Sequence, residues 1–410
     1  QFGNSRFHAH MIDLLADIPG VVVLHDFFLS GLEAHLDPVT FTRILAENHG
    51  YHAAMQCYDT SDGRDGISDA IRSWPANARV IRHAEGIIVH SNHARDLARR
   101  FYGAQADENW VLIPQVCRVE DHSDEARAEA RAALGFADAD LVICSFGYLS
   151  PTKAVLRLLD SFLKSATFHN PKAHLVFVGD GDAAKLLARI AKAQLQRRVR
   201  VTGWASDELY RRYLQAADFA VQLRANSRGE TSRAVLDCQS YGVPLIVNAH
   251  GSMAELPSGT VFQIRDGFTD SDLAQAIDTL AGDPELRSNI GTAARNRILS
   301  EHAPAACARA YRDAIETFYG RQRAARRDLY KRLAQLPPDP ARDAKLAQAV
   351  ADSLPSKVGL RQLFVDVSTL ARSDRRTGIE RTVRALLWEW LRHPPSGWRV
   401  EPVFADVKVG

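Results

Sequence analysis

Asn226–Pro257 reads NSRGETSRAVLDCQSYGVPLIVNAHGSMAELP. A polar, glycine-bearing loop leads into a helical run, a turn at Gly242 and Pro244, a short apolar strand and a second polar loop. Val243–Val247 shows no alternation of apolar and polar residues, so burial on both faces is expected, as for a strand inside a parallel sheet. A loop feeding a helix N-terminus at the end of such a strand is where an open α/β sheet binds a phosphorylated ligand. Asp237 falls on the helical side that begins at Glu230. Taken alone, the stretch is an ordinary strand–helix unit with a tight turn. Its surroundings argue for more.

The same rhythm runs upstream. Leu141–Phe146 reads as a strand, and Gly147 opens GYLSPTK. Ser150 fits an N-cap with Pro151 at the first helical position, which would put Lys153 in the first turn of a helix. A glycine, free backbone N–H groups and an ammonium around one point make a cradle for a diphosphate. The motif is weaker than a Walker A loop, whose GxxxxGK pattern is absent. HLVFVGDG (174–181), VRVTGW (199–204), FAVQL (219–223) and TVFQI (260–264) are further strands, with Ser206 or Asp207 capping the helix after Trp204. Helices at 270–281 and 285–300 close the run. Strands alternating with long helices predict a parallel, doubly wound sheet.

Before residue 120 the strand signals are Val21–Leu24, Gly86–His90 and Trp110–Ile113, three against the five or six of a complete sheet. The first domain therefore reads as lacking its beginning. Gln1 leads directly into a helix-like run that Asn4 or Ser5 would cap. His8 and His10, two apart, are poorly spaced for one helix face, which favours a solvated or loop role over metal binding. His25 and Asp26 follow the first strand at its carboxyl end, the position of ligand-contacting groups in such sheets. A satisfied turn histidine is the plain alternative. Helices are expected at 38–48, 66–73 and, capped by Ser91, from Asn92; the charged helical run 121–138 leads into the next domain.

An amphipathic helix, Pro304–Tyr319, is expected to pack back on the first domain. From Arg321 the composition turns basic, then Pro-rich, then Ala-rich, as in a connector. The basic cluster reads as a solvated helix face, with contact to an anionic membrane surface as its functional alternative. Leu363–Val367, the polar loop SDRRTG, the helix IERTVRALLWEWLR and VEPVFAD look like the opening βαβ of another domain. The resulting partition is 1–125, 126–303, 304–320, 321–360 and 361–410.

The totals agree with a multi-domain globular protein. The 410 residues are 46% hydrophobic and 24% charged, with a net charge of +2 that carries no nucleic-acid signature. No apolar run is long enough to span a bilayer, and no signal peptide is read at the start. Five scattered cysteines without a CxxC pair argue for a reducing compartment, the cytoplasm by default, and against structural zinc. A dinucleotide-dependent dehydrogenase is disfavoured because no GxGxxG follows a strand.

Together these motifs resemble the retaining glycosyltransferases of family 4, whose GT-B architecture has two Rossmann-like α/β domains facing a cleft. The resemblance covers about 1–320 and is best in 141–257. FGYLSPTK is similar to the family's glycine-then-lysine loop at the donor diphosphate, and VGDG and VTGW to the next two strand ends. LDCQSYGVPLIV resembles the EAMAxGxPVI segment, and LHD the strand end whose histidine reaches the donor sugar. The segment 361–410 resembles the start of a second such transferase, with TGIER at its glycine loop. The resemblance implies a donor site of Gly147, Tyr148, Lys153, Gly179, Trp204, Arg224, Arg228, Gly229, Glu230, Thr231 and Asp237. His25, Glu230 and Lys153 would be the catalytic residues, with no metal or other cofactor.

The implied reaction moves a hexose from a nucleotide diphosphate sugar, with GDP-mannose suspected, to a glycan or lipid-linked glycan acceptor. The setting would be O-antigen or other surface-polysaccharide assembly in the cytoplasm or on the inner face of its membrane, alongside a second transferase domain of the same chain. This sequence departs from the family pattern in three places. Asp237 replaces the second Glu of the family's pair, and the position eight before it is Gly229, with Glu230 one step later. Tyr148 stands where the loop usually has Arg; Arg224, Arg228 and Arg233 would supply the missing charge. A catalytically silent GT-B module that binds glycan or organises partner domains is the first alternative. A sugar-nucleotide 2-epimerase is the second.

Overall fold

Strand and helix alternate through the chain in a computed structural model that describes residues 1–35, 37–59, 65–120, 122–352, 361–372, 378–395 and 398–405. Contacts divide the chain into two units. One holds residues 1, 23–28 and 88–314, the other 2–22, 29–87 and 315–410.

The first unit is built on six parallel strands: β4 (Leu141–Phe146), β5 (Ala173–Val178), β6 (Val199–Val201), β7 (Phe219–Gln222), β8 (Leu245–Asn248) and β9 (Phe262–Ile264). Their spatial order is β6-β5-β4-β7-β8-β9. The chain thus winds outward from β4 in one direction, then returns to lay β7 on the other side of β4. Such a reversal opens a crevice beyond the carboxyl ends of the two strands that flank it. Helices cover both faces, so the central strands β4, β5, β7 and β8 are buried on both sides, whereas the edge strands β6 and β9 carry Arg200 and Gln263. Ile143 packs with Leu158, Leu159 and Phe162 on one side. Val142, Cys144 and Phe146 pack with Leu214, Val235 and Cys238 on the other.

Several element boundaries differ from the sequence reading, three of them in this unit for a clear local reason. The strand expected from Val243 begins at Leu245, because Val243 N–H turns back to Cys238 O (2.8 Å) and Pro244 has no N–H to give a ladder. Thr260, expected in β9, instead donates from its hydroxyl to Pro257 O (2.7 Å), and the strand starts at Phe262. The run expected as a helix over 121–138 is helical only over Asp124–Leu134, capped by Ser123 and stopped by left-handed Gly135; residue 121 lies outside the described residues. Ser206, rather than Asp207, caps the helix Asp207–Ala216.

In the same unit the carboxyl ends of β1 (Val21–Val23), β2 (Gly86–Val89) and β3 (Trp110–Leu112) lie side by side in the order β1-β2-β3. Leu24 N–H donates to Ile88 O and Ile113 N–H to Val89 O, both at 2.9 Å. These are the three strands read from the sequence.

The second unit gathers Phe41, Ile44, Leu45, Ala53 and Ala70 of three short helices into a core flanked by Trp74 and Cys57. The helix expected to end at Tyr319 runs from Pro304 to Leu333, so the basic stretch continues a helix instead of beginning a connector. Within this unit the Phe318 ring lies flat against Gly86, where an added Cβ would meet it at 2.3 Å. Another helix spans Pro340–Asp352. β10 (Arg361–Asp366) and β11 (Trp398–Val403) pair in parallel, as expected for an opening βαβ; residues 373–377 of the polar loop lie outside the described residues. Ser5, not Asn4, caps the first turn, Arg6–His8, and His10 is the first residue of the helix His10–Asp17. In place of a solvated role, His10 Nε2 lies 3.3 Å from Asp366 Oδ2. All five cysteines are free thiols; Cys57 is half-buried and the other four are buried. Among the described residues no helix is long and apolar enough to cross a membrane.

Candidate functional site

At the end of β4 the chain turns through Gly147 at φ +93°. Gly147 N–H donates to Val178 O (2.9 Å), Leu149 N–H to Asp180 O (2.7 Å) and Asp182 N–H to Leu149 O (2.8 Å), which zips this loop to the one after β5. Gly179 permits the approach, since a Cβ there would lie 2.3 Å from Gly147 O.

Lys153 is not in the first turn of a helix, as the sequence suggested. It ends a 3-10 turn, Pro151–Lys153; Ala154 then takes a left-handed conformation (φ +50°) before the helix Val155–Lys164 begins. Ser150 meets the Thr152 hydroxyl at 2.7 Å and caps nothing. The kink swings Lys153 back over the strand end, where Nζ donates to Phe146 O at 2.6 Å. Burial of the ammonium pushes its pKa down to about 7, with the Arg224 charge adding to the effect. Only a glycine at 147 leaves room, because a Cβ would stand 2.5 Å from Nζ.

Arg224 follows β7 on the other side of the crevice. Its N–H donates to Asn248 Oδ1 (2.8 Å), and Asn248 Nδ2 donates back to Arg224 O (2.7 Å), so the end of β8 fixes its backbone. Its guanidinium Nε is 3.7 Å from Glu230 Oε1. The Glu230 carboxylate is turned into its own loop, with Oε2 accepting from Arg228 N–H at 2.6 Å and from the Ser227 hydroxyl at 3.3 Å. Gly229 (φ +83°) could not carry a Cβ, which would come 2.5 Å from Phe27 Cβ. Phe27 and Phe28 N–H both donate to Arg228 O, at 2.7 and 3.0 Å, so the segment after β1 runs along this loop. His25 lies on that segment.

His90 Nδ1 bonds Ile113 O at 2.8 Å, and His90 Nε2 faces His25 Nδ1 at 3.2 Å. Burial lowers the His90 pKa to about 4 and keeps the ring neutral. Its Nδ1 therefore carries the proton given to Ile113, and Nε2 accepts from His25 Nδ1–H. Sequence reasoning missed His90 as the residue that orients His25.

Asp237, on the helix Arg233–Ser240, accepts from Arg233 Nε (2.8 Å) and the Tyr210 hydroxyl (3.2 Å). Arg233 also donates to Val116 O (3.1 Å), so of the three candidate arginines it is committed to Asp237 and not to the crevice. The Thr231 hydroxyl is buried with no partner among the described residues. Tyr148 and Trp204 are 68% and 63% exposed, open aromatic faces on the loops after β4 and β6. Glu255, which the sequence did not single out, accepts from the N–H groups of Asn92 (2.9 Å) and His93 at the start of the helix Asn92–Tyr102. No local pattern announces a cap supplied from so distant a segment. No cluster of three or more His, Cys, Asp or Glu that could hold a metal ion occurs among the described residues.

Residues 126–297, which contain all of β4–β9, match the family model described as Glycosyl transferases group 1. The chain is similar to Anabaena HepE, solved in complex with UDP and glucose, with a TM-score of 0.57 at 19% identity over 76% of each chain. It is also similar to WaaG, a glycosyltransferase involved in lipopolysaccharide biosynthesis, with a TM-score of 0.52 at 14% identity over 72% of this chain and 75% of that one. The fold is GT-B. In sequence, the chain is 26% identical over 228 residues to the alpha-D-kanosaminyltransferase of Streptomyces kanamyceticus, a match covering 55% of this chain and only 58% of that protein's length. Lys153, Arg224, Glu230 and Asp237 all lie within the segment the family model matches.

Proposed function

We propose that this chain transfers a hexose from a nucleotide diphosphate sugar to a glycan acceptor, with retention at the anomeric carbon. One observation carries the proposal: the Lys153 ammonium sits at the strand-order reversal with a backbone carbonyl as its hydrogen-bond acceptor and with Arg224 beside it. A buried cation held by a neutral oxygen is costly unless an anion is meant to join it. The β-phosphate of a departing nucleoside diphosphate is such an anion.

In this reading the acceptor hydroxyl attacks the anomeric carbon on the face from which the diphosphate leaves, and the leaving phosphate oxygen takes the hydroxyl proton. Lys153 and Arg224 stabilise the charge that collects on the diphosphate, the role a divalent cation fills elsewhere, so turnover is expected without added metal. Thr231 and the N–H groups around Gly147 and Gly229 bind donor oxygens. Glu230 holds the sugar hydroxyls after turning out of its loop, His25 contacts the donor sugar, and Asp237 binds the ribose. Tyr148 and Trp204 offer ring faces to the donor. The UDP bound to HepE supports a nucleotide-sugar donor; GDP-mannose is the specific donor proposed. WaaG's part in lipopolysaccharide biosynthesis is in keeping with a surface-glycan acceptor, used at the cytoplasmic side of the membrane. The strands β10 and β11 are read as the opening of a second transferase domain.

Calorimetric titration of the whole chain with UDP, GDP and ADP, without metal and then with magnesium, tests this. Metal-independent binding of one nucleotide, weakened at least tenfold in Lys153→Ala, is expected, together with release of that nucleotide from its hexose donor. Nucleotide binding with no turnover on any glycan acceptor would favour the silent module, which the inward-turned Glu230 recommends as the second reading. No nucleotide binding by a folded sample would sink the donor site itself.

A further inference from the structure

A second cavity lies at the opposite ends of the same strands, and no part of the transferase reading uses it. Asp218 precedes β7 and Gly242–Pro244 precede β8, whereas Arg224 follows β7 and Asn248 ends β8. Between them and the helix Pro284–Glu301 is a groove of about 430 Å³. Its floor is backbone, because the helix lies directly on the turn; a Cβ on Gly291 would come 2.2 Å from Gly242 O. The rings of His122 and Tyr241 meet edge-on at 6.4 Å along one wall. Arg127, Arg287 and Arg295 also line it.

The charges there do not balance. The one carboxylate in the lining, Asp218, accepts from Arg127 (2.6 Å) through one oxygen and from Val142 N–H (2.7 Å) and Arg131 (3.3 Å) through the other. Both of its oxygens are therefore engaged. Arg287 donates to the carbonyls of Leu280 and Ala281, which are neutral. Its pKa is lowered, by burial first and with Arg127 contributing, despite the attraction of Asp218 and of Asp283. The Arg295 side chain has no hydrogen bond or ion pair with any described residue. Several guanidinium groups sharing a groove whose described lining holds one carboxylate, already engaged, suit a multiply charged oxyanion, which can accept from more than one at once.

We propose that this groove binds a phosphate-bearing ligand at a site separate from the donor cradle. The ligand touches the start of β8 and the exit of the helix that carries Asp237. A soluble phosphate ester and a phospholipid headgroup share the chemistry that the arginines recognise.

The test uses the whole chain in the Lys153→Ala background, which removes the donor cradle from the measurement. Inorganic pyrophosphate is titrated by calorimetry, and sedimentation is measured with phosphatidylglycerol and with phosphatidylcholine vesicles. Residual pyrophosphate binding, weakened at least tenfold by adding Arg295→Gln, assigns a soluble ligand. Capture by phosphatidylglycerol but not phosphatidylcholine vesicles, lost with Arg295→Gln, assigns a headgroup. The Arg295 side chain bonds to no described residue, so its replacement leaves the melting temperature unchanged; Arg287→Gln, which also frees two helix-end carbonyls, serves as the second variant. Absence of any Arg295-dependent binding to either probe overturns the proposal. Loss of all pyrophosphate binding on Arg295→Gln alone, with Lys153→Ala silent, would support the groove and count against the donor cradle.

Discussion

The Lys153 ammonium and the Phe146 carbonyl oxygen are joined across a turn at 2.6 Å, and the residue that lets them meet is Gly147. An alanine there meets two penalties. The backbone at φ +93° costs about 1–2 kcal/mol for a residue with a Cβ, and the new methyl stands where the ammonium is. The long lysine chain yields more easily than the turn, so the charge leaves the crevice. Gly147→Ala should lower stability in a urea melt by about that amount and weaken nucleotide binding at least tenfold. Unchanged affinity in a folded variant would mean that the ammonium is not part of the cradle.

Lys153 also sets a pH dependence. With its pKa near 7 in the empty site, the group is largely neutral at pH 8 and charged at pH 6. A diphosphate beside it favours the charged form, so binding at pH 8 must take up a proton. Affinity should be level with respect to this group below about pH 7 and fall above it, by up to tenfold per pH unit. Titrations at pH 8 in buffers of different ionisation enthalpy would reveal the uptake, and Lys153→Met should abolish it.

Asp237 presents a separable pair of roles. Its carboxylate is occupied by Arg233 and Tyr210, an arrangement that alone would make it structural. Both Asp237→Asn and Arg233→Gln break the ion pair, which is part-exposed, and each should cost about 1–2 kcal/mol. If Asp237 binds the ribose, only Asp237→Asn should also weaken nucleotide binding. Equal affinities for the two variants would leave it a strut.

His90 limits stability on the acid side. Its folded pKa near 4 lies below the usual value of 6.5, so the unfolded chain binds more protons between those values. Its contribution to stability is whole above about pH 6.5 and is lost as pH falls toward 4, by about 3 kcal/mol at most. Melting temperatures measured from pH 7 to pH 4.5 should fall more steeply for the native chain than for His90→Gln.

Much of this was legible in the chain itself, and the reasons are physical. The apolar runs at 141–146 and 219–222 have no polar alternation because helices cover both faces, so they announce a parallel sheet without any contact being known. Glycines 147, 179 and 229 stand out because tight turns after strands need them. What stayed hidden depends on distant partners. Nothing near Lys153 in sequence shows that Ala154 adopts a left-handed conformation, and Ser150-Pro151 looks like an ordinary helix start. Arg233 reads as a phosphate ligand until its position one helical turn before Asp237 is weighed. Glu255 caps a helix more than 160 residues away in sequence, and His90 acts through a ring contact across two strands. The basic run after Arg321 looked like a connector because composition reports solvation, and a solvated helix has the same composition.

The uneven burial of the five thiols gives the molecule a built-in reporter. Cys57 alone is reachable without unfolding, and like Trp74 it flanks the small core of the second unit, while Cys117, Cys144, Cys238 and Cys307 are enclosed. A chromogenic disulfide reagent should therefore count one fast thiol in the native protein and five in denaturant. The slow appearance of the other four would time the opening of the cores that enclose them. A dye placed at Cys57 would follow the neighbourhood of Trp74 without an engineered cysteine.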